Sequence, residues 1–173
     1  SPAAGEVLVR VMAAGLNPVD FKTREGKLKI ILPYTLPTVM GNELAGVVEE
    51  VGKDVSGFAV GDRVFARTPK LAMGAFAEFA AIPADLLAPK PASLGFPEGG
   101  GIPLAGLTAL QALRDEMQLG PGSRVFIPGG AGGVGTLAIQ IAKWLGAEVI
   151  TTASPRGRAL VERLGADRVI DYT

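Results

Sequence analysis

A glycine-rich segment in the second half of the chain constrains the fold more than any other feature of the sequence. Residues 125–127 are a short apolar run that predicts a buried β-strand. From about residue 134 to residue 145 the apolar residues recur at helical spacing, with Leu137, Ile141 and Leu145 on one predicted buried face. The segment therefore predicts a strand, a tight loop and a helix in direct succession.

The glycine spacing in this loop indicates what it can bind. Gly130, Gly132 and Gly135 follow the pattern Gly-x-Gly-x-x-Gly, which binds a dinucleotide when it joins a strand to a helix. The first glycine permits the turn, the second lets backbone approach a pyrophosphate, and the third lets helix and strand pack closely. The helix N-terminus adds free N–H groups and the positive end of its dipole.

A glycine turn with a purely structural role is the alternative. A second predicted strand at residues 148–152 completes a βαβ unit around the loop, and this context favours nucleotide binding. The candidate phosphate-binding residues are Gly130, Ala131, Gly132, Gly133 and Val134.

The overall composition excludes several kinds of partner. The 173 residues carry 17 basic and 17 acidic side chains, so no charge excess favours nucleic acid or an anionic membrane surface. No apolar run approaches the roughly 18 to 20 residues that cross a bilayer, and Glu78 interrupts the nearest one, residues 71–82. The first residues lack the basic and apolar regions of a signal peptide. We therefore expect no nucleic acid partner, no membrane association and a cytoplasmic location.

The sequence contains no cysteine and no histidine. Disulfides, zinc sites built on thiolate or imidazole ligands, and triads with a histidine base are therefore excluded. Any proton transfer has to use a carboxylate, lysine, tyrosine, a cofactor hydroxyl or water.

The first half of the chain has the pattern of a mainly-β domain. Strands are predicted at residues 7–12, 39–52, 63–65 and 74–82. A short helix is expected to begin at Pro18 and to stop at Gly26, and residues 27–38 have the character of a surface loop. No sequence repeat is visible.

The pattern changes after a proline-rich connector at residues 88–93. A helix is predicted at residues 96–113, with Leu104, Leu107 and Leu110 on one face. Beyond the glycine loop, a helix at 155–164 with Leu160 and Leu164 inward and a strand from 165 to 171 complete β-α-β-α-β. This order predicts a parallel, doubly wound sheet, of which three strands out of about six are present. We expect a truncated domain, with the division at residues 1–92 and 93–173.

Five motifs in order resemble one protein superfamily. They are Gly-Leu-Asn-Pro-Val-Asp at 15–20, Gly-Asn-Glu-Leu-Ala-Gly-Val-Val at 41–48, Val-Gly-Asp-Arg-Val at 60–64, Leu-Thr-Ala at 107–109, and the glycine loop at 129–135. Together they resemble the medium-chain dehydrogenase/reductase superfamily, on its zinc-free quinone oxidoreductase side. Residues 152–156 and 164–173 are most similar to the alkenal/one oxidoreductase group. The resemblance covers essentially the whole chain.

The resemblance implies a GroES-like catalytic domain and a Rossmann domain, with the active site in the cleft between them. Zinc-dependent relatives carry cysteine and histidine where this chain has Asn17 and Asn42. Neutral amides do not replace those ligands, so oxidation of an alcohol through zinc is disfavoured. The four-cysteine structural zinc lobe is absent as well.

The end of the second parallel strand determines which dinucleotide fits. An NAD site needs Asp or Glu there, but Glu148 lies at the opposite end of the strand. Ser154, Arg156 and Arg158 stand at the correct end, and a hydroxyl with guanidinium groups suits a 2′-phosphate. The alternative is that the arginines are solvated charges, although cations are unfavourable at a helix N-terminus. We therefore predict NADPH, with Ser154 and Arg156 ahead of Arg158.

Several further residues match family positions. Tyr172 matches one beside the 2′-phosphate, or it packs at a strand end. Asn17 matches a position near the nicotinamide, or it caps the helix at Pro18. Thr108 matches another nicotinamide-side position, or it is a helix hydroxyl. The candidate catalytic residues are Asn17, Tyr34 and Thr108, with no metal ligand; Tyr34 and Lys27 are also consistent with surface residues, and Asp20, Asn42 and Glu43 with structural ones.

The predicted function is a zinc-independent, NADPH-dependent reductase that transfers hydride to a quinone or to the C=C bond of an enal or enone. The alternatives are an NADPH-binding protein without catalysis and an enoyl-thioester reductase. The resemblance also implies a possible homodimer in the full-length protein, formed through edge strands that this sequence does not contain.

Overall fold

The structure is a computed structural model that describes residues 1–31, 33–35, 37–69 and 72–173. The chain divides into two compact units, Ser1–Leu104 and Ala105–Thr173. The predicted loop at 27–38 includes Leu32 and Leu36, and the apolar run at 71–82 begins at Leu71. These three residues and Lys70 lie outside the described residues.

The first unit is built on a five-stranded antiparallel sheet with the strand order β4-β1-β2-β3-β5. Its strands are β1 Glu6–Ala14, β2 Glu43–Val51, β3 Arg63–Arg67, β4 Phe79–Pro83 and β5 Leu87–Pro89. Helix α1 spans Pro18–Arg24, a 3₁₀ turn spans Ala84–Leu86, and helix α2 spans Phe96–Gly100. The unit has its own core of valine, leucine, isoleucine and alanine side chains. Full burial of each large aliphatic side chain contributes about 1.5–3 kcal/mol.

The helix at Pro18 is confirmed, with Gly26 in a left-handed conformation after its last turn. Two strand predictions need correction. Residues 39–42 precede β2, which begins at Glu43. Residues 74–78 are not a strand, because Met73 and Gly74 have φ values of 50° and 106°, which turn the chain out of the extended conformation.

The second unit contains a three-stranded parallel sheet with the order β6-β7-β8. The strands are β6 Arg124–Ile127, β7 Glu148–Ala153 and β8 Arg168–Asp171, connected by helices α4 Gly133–Trp144 and α5 Pro155–Arg163. Helix α3 Pro103–Leu110 begins in the first unit, and a π-helical turn, Gln111–Glu116, follows it. The predicted β-α-β-α-β order and parallel sheet are confirmed.

The single helix predicted at residues 96–113 is wrong. The chain breaks between α2 and α3 at Pro103, which has no N–H for a helical hydrogen bond and restricts the residue before it. Leu107 is 40% exposed, and from α3 to the π-helical turn the residues that belong to the buried apolar core are Ala105, Ala109 and Leu113.

The sheet and helix faces also differ from expectation. Strand β6 is buried on one face only, since Phe126 is 55% exposed. The buried face of α4 consists of Gly135, Ala138, Ile139 and Ala142, so one large side chain is surrounded by small residues where this helix packs in the core. Four of the residues predicted to face inward pack partly buried against that core: Leu137, Ile141, Leu145 and Leu164. In α5 the fully buried residue is Val161, and Leu160 is only half-buried.

Candidate functional site

The glycine loop leaves the carboxyl end of β6 and enters α4. The Gly130 N–H donates to the Thr152 carbonyl (3.0 Å), and the Gly129 N–H donates to Thr152 Oγ1 (2.8 Å). Strand β7 therefore holds the turn in place. The first helical bond of α4 runs from the Thr136 N–H to the Gly132 carbonyl (2.9 Å). The N–H groups of the first helical turn have no acceptor within the helix and can bind an anion.

The packing around the loop leaves no room for side chains at two of its glycines. A Cβ on Gly130 would lie 2.1 Å from Thr151 Oγ1 and 2.9 Å from Ile139 Cδ1. A Cβ on Gly135 would lie 2.4 Å from the Gly129 carbonyl oxygen and 2.7 Å from Gly130 Cα. The close approach of helix and strand expected from the glycine spacing is thus present in the structure.

Helix α5 begins directly beside this loop. A Cβ on Gly157 would lie 2.8 Å from Ala131 Cβ and 3.9 Å from Ser154 Oγ. The first turn of α5 therefore packs on the glycine loop, and Ser154, which is the N-cap residue of α5, lies next to it. The structure brings together the loop and the predicted 2′-phosphate residues at one edge of the sheet.

The two arginines of this turn have different surroundings. Arg158 pairs with Glu162 at 2.9 Å, one turn along the helix. Among the residues that the structure describes, Arg156 is exposed and forms no ion pair. The Arg156 guanidinium is therefore not engaged by any described carboxylate, and the ranking of Arg156 ahead of Arg158 stays a prediction.

Tyr172 follows the last residue of β8. Strand register pairs Asp171 with Ala153, so Tyr172 continues at the same edge as Ser154, and it is exposed. The N–H and hydroxyl of Thr173 donate to Asp171, and together with the nearby charge of Arg158 they hold the pKa of that carboxyl below its ordinary value.

The first unit contains a compact group of four polar residues around Asn17, which we call the Asn17 cluster: Asn17, Asp20, Asn42 and Glu43. Asn17 Nδ2 donates to Glu43 Oε1 (2.6 Å), and the Asn17 backbone N–H donates to Asp20 Oδ2 (2.7 Å). Asn42 Nδ2 donates to Asp20 Oδ1 (2.7 Å). Asp20, Asn42 and Glu43 are buried, while Asn17 is half-buried and reaches the surface.

The second oxygen of Glu43 accepts from the backbone N–H of Leu104 (2.7 Å), in the first turn of α3. Both buried carboxylates thus accept two hydrogen bonds each, which offsets the cost of their burial. The interpretation of Asp20 and Glu43 as structural carboxylates agrees with this arrangement.

The other two candidate catalytic residues are Tyr34, in the first unit, and Thr108, in the second. The Tyr34 hydroxyl donates to the Thr23 carbonyl, and Tyr34 lines a cavity of about 490 Å³ with Arg24, Glu25, Gly26, Lys29 and Thr35. Thr108 lies exposed on α3, in the part of that helix assigned to the second unit.

Two residues of the loop support were not identified from the sequence. Thr151 is fully buried and its hydroxyl donates to the Ile127 carbonyl (2.6 Å), while Thr152 accepts from the glycine loop. The signal was two adjacent threonines, preceded in the strand by Val149 and Ile150 and followed by Ala153.

The described residues contain no group of three or more carboxylates that could hold a metal ion. They contain no helix that is both long and apolar enough to cross a membrane.

Comparison with known sequences identifies the class of protein. Residues 3–92 match the family described as alcohol dehydrogenase GroES-like domain, and residues 133–173 match the family described as zinc-binding dehydrogenase. The chain therefore belongs to the GroES-like alcohol dehydrogenase family, on the quinone oxidoreductase side of the medium-chain dehydrogenase/reductases, as its motifs predicted.

Individual relatives show which members of the family this chain is similar to. The chain is 38% identical to a chloroplast envelope quinone oxidoreductase homolog of Arabidopsis thaliana, over 99% of this chain and 54% of that protein. It is 43% identical to the NADPH-dependent alkenal/one oxidoreductase, chloroplastic, of the same plant, over 97% of this chain and 45% of that protein. The chain thus spans about half the length of these curated relatives.

Solved structures confirm the fold. An alcohol dehydrogenase superfamily protein from Novosphingobium aromaticivorans superposes with a TM-score of 0.93 at 44% identity, covering 99% of this chain and 52% of its own. The Escherichia coli quinone oxidoreductase complexed with NADPH gives 0.85 at 35% identity, covering 99% and 51%.

The expectation of a cytoplasmic location is wrong. Both Arabidopsis relatives are chloroplast proteins by name. Balanced charge and the lack of a long apolar run in the sequence do not distinguish one cellular compartment from another.

Proposed function

We propose that the protein to which this chain belongs is an NADPH-dependent reductase of quinones or of the C=C bond in α,β-unsaturated carbonyl compounds. The observation that carries the proposal is the arrangement at the edge of the parallel sheet. There the N–H groups in the first turn of α4 and Arg156, which forms no ion pair with any described residue, lie at the ends of the adjacent strands β6 and β7. The names of the relatives support both the cofactor and the substrate class.

The chain's residues fit the cofactor. The pyrophosphate would lie against the helix N-terminus and be held by Gly130, Ala131, Gly132, Gly133 and Val134. Neither Gly130 nor Gly135 has space for a side chain, as expected for the tight strand–loop–helix packing of such a site. Ser154, Arg156, Arg158 and Tyr172 would surround the 2′-phosphate. The bound nicotinamide would supply the hydride, and Asn17, Tyr34 and Thr108 are proposed to orient the reacting groups and polarise the substrate carbonyl.

We also propose that the reaction needs no zinc. The chain has neither thiolate nor imidazole. The side-chain amide groups of Asn17 and Asn42 already donate hydrogen bonds to the carboxylates of Glu43 and Asp20. A carboxamide is a poor zinc ligand beside these groups. Full activity after exhaustive dialysis against a chelator is expected, and a loss that added zinc restores would refute this part of the proposal.

The division of the chain into a GroES-like domain at residues 1–92 and the start of a Rossmann domain at residues 93–173 also stays a proposal.

The cofactor proposal is tested by titrating the full-length protein with NADPH and NADH. Arg156→Ala removes a guanidinium whose hydrogen bonds to a phosphate are worth about 1.5–3 kcal/mol, so the Kd for NADPH should rise roughly 10- to 100-fold. The affinity for NADH should stay within about twofold. Arg163→Ala, at the other end of the same helix, is the matched control and should change neither.

The reductase proposal is tested by following NADPH oxidation with a simple enal, an enone and a quinone. Turnover with at least one of them is expected. Tight NADPH binding without turnover of any of the three would refute the reductase and leave a nucleotide-binding protein.

A further inference from the structure

Glu43 determines the orientation of the Asn17 side chain. A carboxylate has only acceptor atoms, so the atom of Asn17 that faces Glu43 Oε1 at 2.6 Å has to be the amide nitrogen. The carbonyl oxygen Oδ1 then lies on the other side of the planar amide, and the Asn17 side chain forms a capping box with Asp20 at the start of α1, as the capping alternative predicted. One orientation of the Asn17 amide is selected over the one turned by 180°.

Glu43 is itself fixed more firmly than Asn17. Its side chain is 1% exposed, and its second oxygen is anchored by the backbone N–H of Leu104 at 2.7 Å. Pro103 is the first residue of α3, so this N–H is one of the donors at a helix N-terminus, where a carboxylate is favourable. The Leu104 N–H is held in place by the backbone. Both oxygens of the Glu43 carboxylate are acceptors, so turning the carboxylate over would still present an acceptor to Asn17.

The local backbone leaves room for this arrangement. A Cβ on Gly15 would lie 2.2 Å from Glu43 Oε1 and 2.8 Å from the Gly100 carbonyl oxygen. The absence of a side chain at Gly15 therefore lets the carboxylate reach the Asn17 segment.

We propose that Glu43 is a positioning residue, which acts by holding the Asn17 carboxamide in one of its two orientations. This rests on the proposed function, in which Asn17 orients the nicotinamide or the substrate carbonyl. The buried carboxylate decides which group of the half-buried Asn17 side chain, donor or acceptor, is offered to a ligand.

Glu43→Gln tests the proposal with almost no change of shape. The Leu104 N–H requires an acceptor, so the glutamine has to place Oε1 there and turn Nε2 towards Asn17. Asn17 then has to rotate its amide to present Oδ1 to that donor. The Asn17 side chain would then offer Nδ2 on its accessible side where it previously offered Oδ1, although residues 17 and 43 would keep one hydrogen bond.

The decisive measurement is a double-mutant cycle in the full-length protein, with Asn17→Ala as the second change. If Glu43 acts through Asn17, Glu43→Gln should lower kcat by roughly 10²-fold, the typical loss for one oriented polar group, and leave the NADPH Kd within about twofold. In the Asn17→Ala background the same change should lower kcat less than about twofold. Equal losses in both backgrounds, or no loss in either, would overturn the proposal.

A second readout does not depend on activity. The side-chain NH₂ signals of Asn17 in a ¹⁵N-correlated NMR spectrum should shift strongly in Glu43→Gln, because the carboxylate acceptor is lost. Unchanged signals would overturn the positioning role even in an active enzyme. A protein with no turnover but with the expected shift would overturn the proposed function and retain the role of Glu43 in orienting Asn17.

Discussion

Replacing Gly135 by alanine tests the close approach of α4 to the glycine loop. The added methyl group would lie 2.4 Å from the Gly129 carbonyl oxygen and 2.9 Å from the Gly130 carbonyl carbon. Both atoms belong to backbone that is held by hydrogen bonds to Thr152, so neither can move without breaking the support of the turn. Relief requires the helix to move away from the strand.

The magnitude follows from two opposing contributions. Overpacking of this kind costs about 1–3 kcal/mol, and contact with rigid backbone points to the upper end. Alanine has a higher helix propensity than glycine, which returns up to about 1 kcal/mol. The net loss for Gly135→Ala is therefore about 2 kcal/mol, or a decrease in Tm of roughly 4–8 °C for a chain of this size.

Gly133→Ala is the matched control in the same helix. Gly133 is the first helical residue, and a Cβ there would meet no atom within 4 Å. The substitution should leave the free energy of unfolding unchanged or raise it by less than about 1 kcal/mol. Urea unfolding followed by circular dichroism measures both variants, and isothermal titration calorimetry reports their NADPH affinity. If Gly135→Ala were as stable as Gly133→Ala, the steric reasoning about the loop would be wrong.

Two further changes test the supports of the parallel sheet. Thr151→Val removes the buried hydroxyl that donates to the Ile127 carbonyl, and we expect a loss of about 1–3 kcal/mol in denaturant unfolding; an effect below about 0.5 kcal/mol would contradict this assignment. Hydrogen bonds from Lys143 and the Val149 N–H hold the pKa of Asp167 below its ordinary value. The stabilisation from this carboxylate is therefore complete above about pH 5 and is lost as the pH falls through the folded-state pKa. Asp167→Asn should therefore lose less stability than the wild type between about pH 5 and about pH 3, by under about 1 kcal/mol because the pair is partly exposed, and identical acid profiles would show that the pair contributes nothing.

The parts of the fold that could be predicted are those encoded by neighbouring residues. The glycine loop depends on three glycines within six positions, and the alternation of strands and helices depends on apolar spacing over about a dozen residues. The break at Pro103 was also present in the sequence, but the apolar residues on both sides of it suggested one continuous helix.

The core faces were harder because large apolar residues suggest burial. In α4 the buried residues are small apart from Ile139, and Leu137, Ile141 and Leu145 lie partly buried against the same core. Which apolar residues of a helix become fully buried depends on how the helix packs on the sheet, and the sequence does not specify that packing.

The candidate site divides in the same way. The residues of the glycine loop, with Ser154 and Arg156, were predictable from motif and strand end, and their roles stay predictions. The hydrogen bonds of Glu43 join residues that are 26 and 61 positions apart, so no local pattern could reveal them.

That wide separation also affects how the chain folds. The parallel strands of the second unit pair across 24 and 18 residues, whereas the bond between Glu43 and Leu104 closes a segment of 61 residues. The entropy cost of closing a loop rises slowly with the number of residues in the loop. Contacts between residues that are close in sequence therefore cost less chain entropy to form than contacts between distant residues. The bond that anchors Glu43, and with it the orientation of the Asn17 side chain, therefore depends on the tertiary structure of the first unit and not on any local segment of the chain.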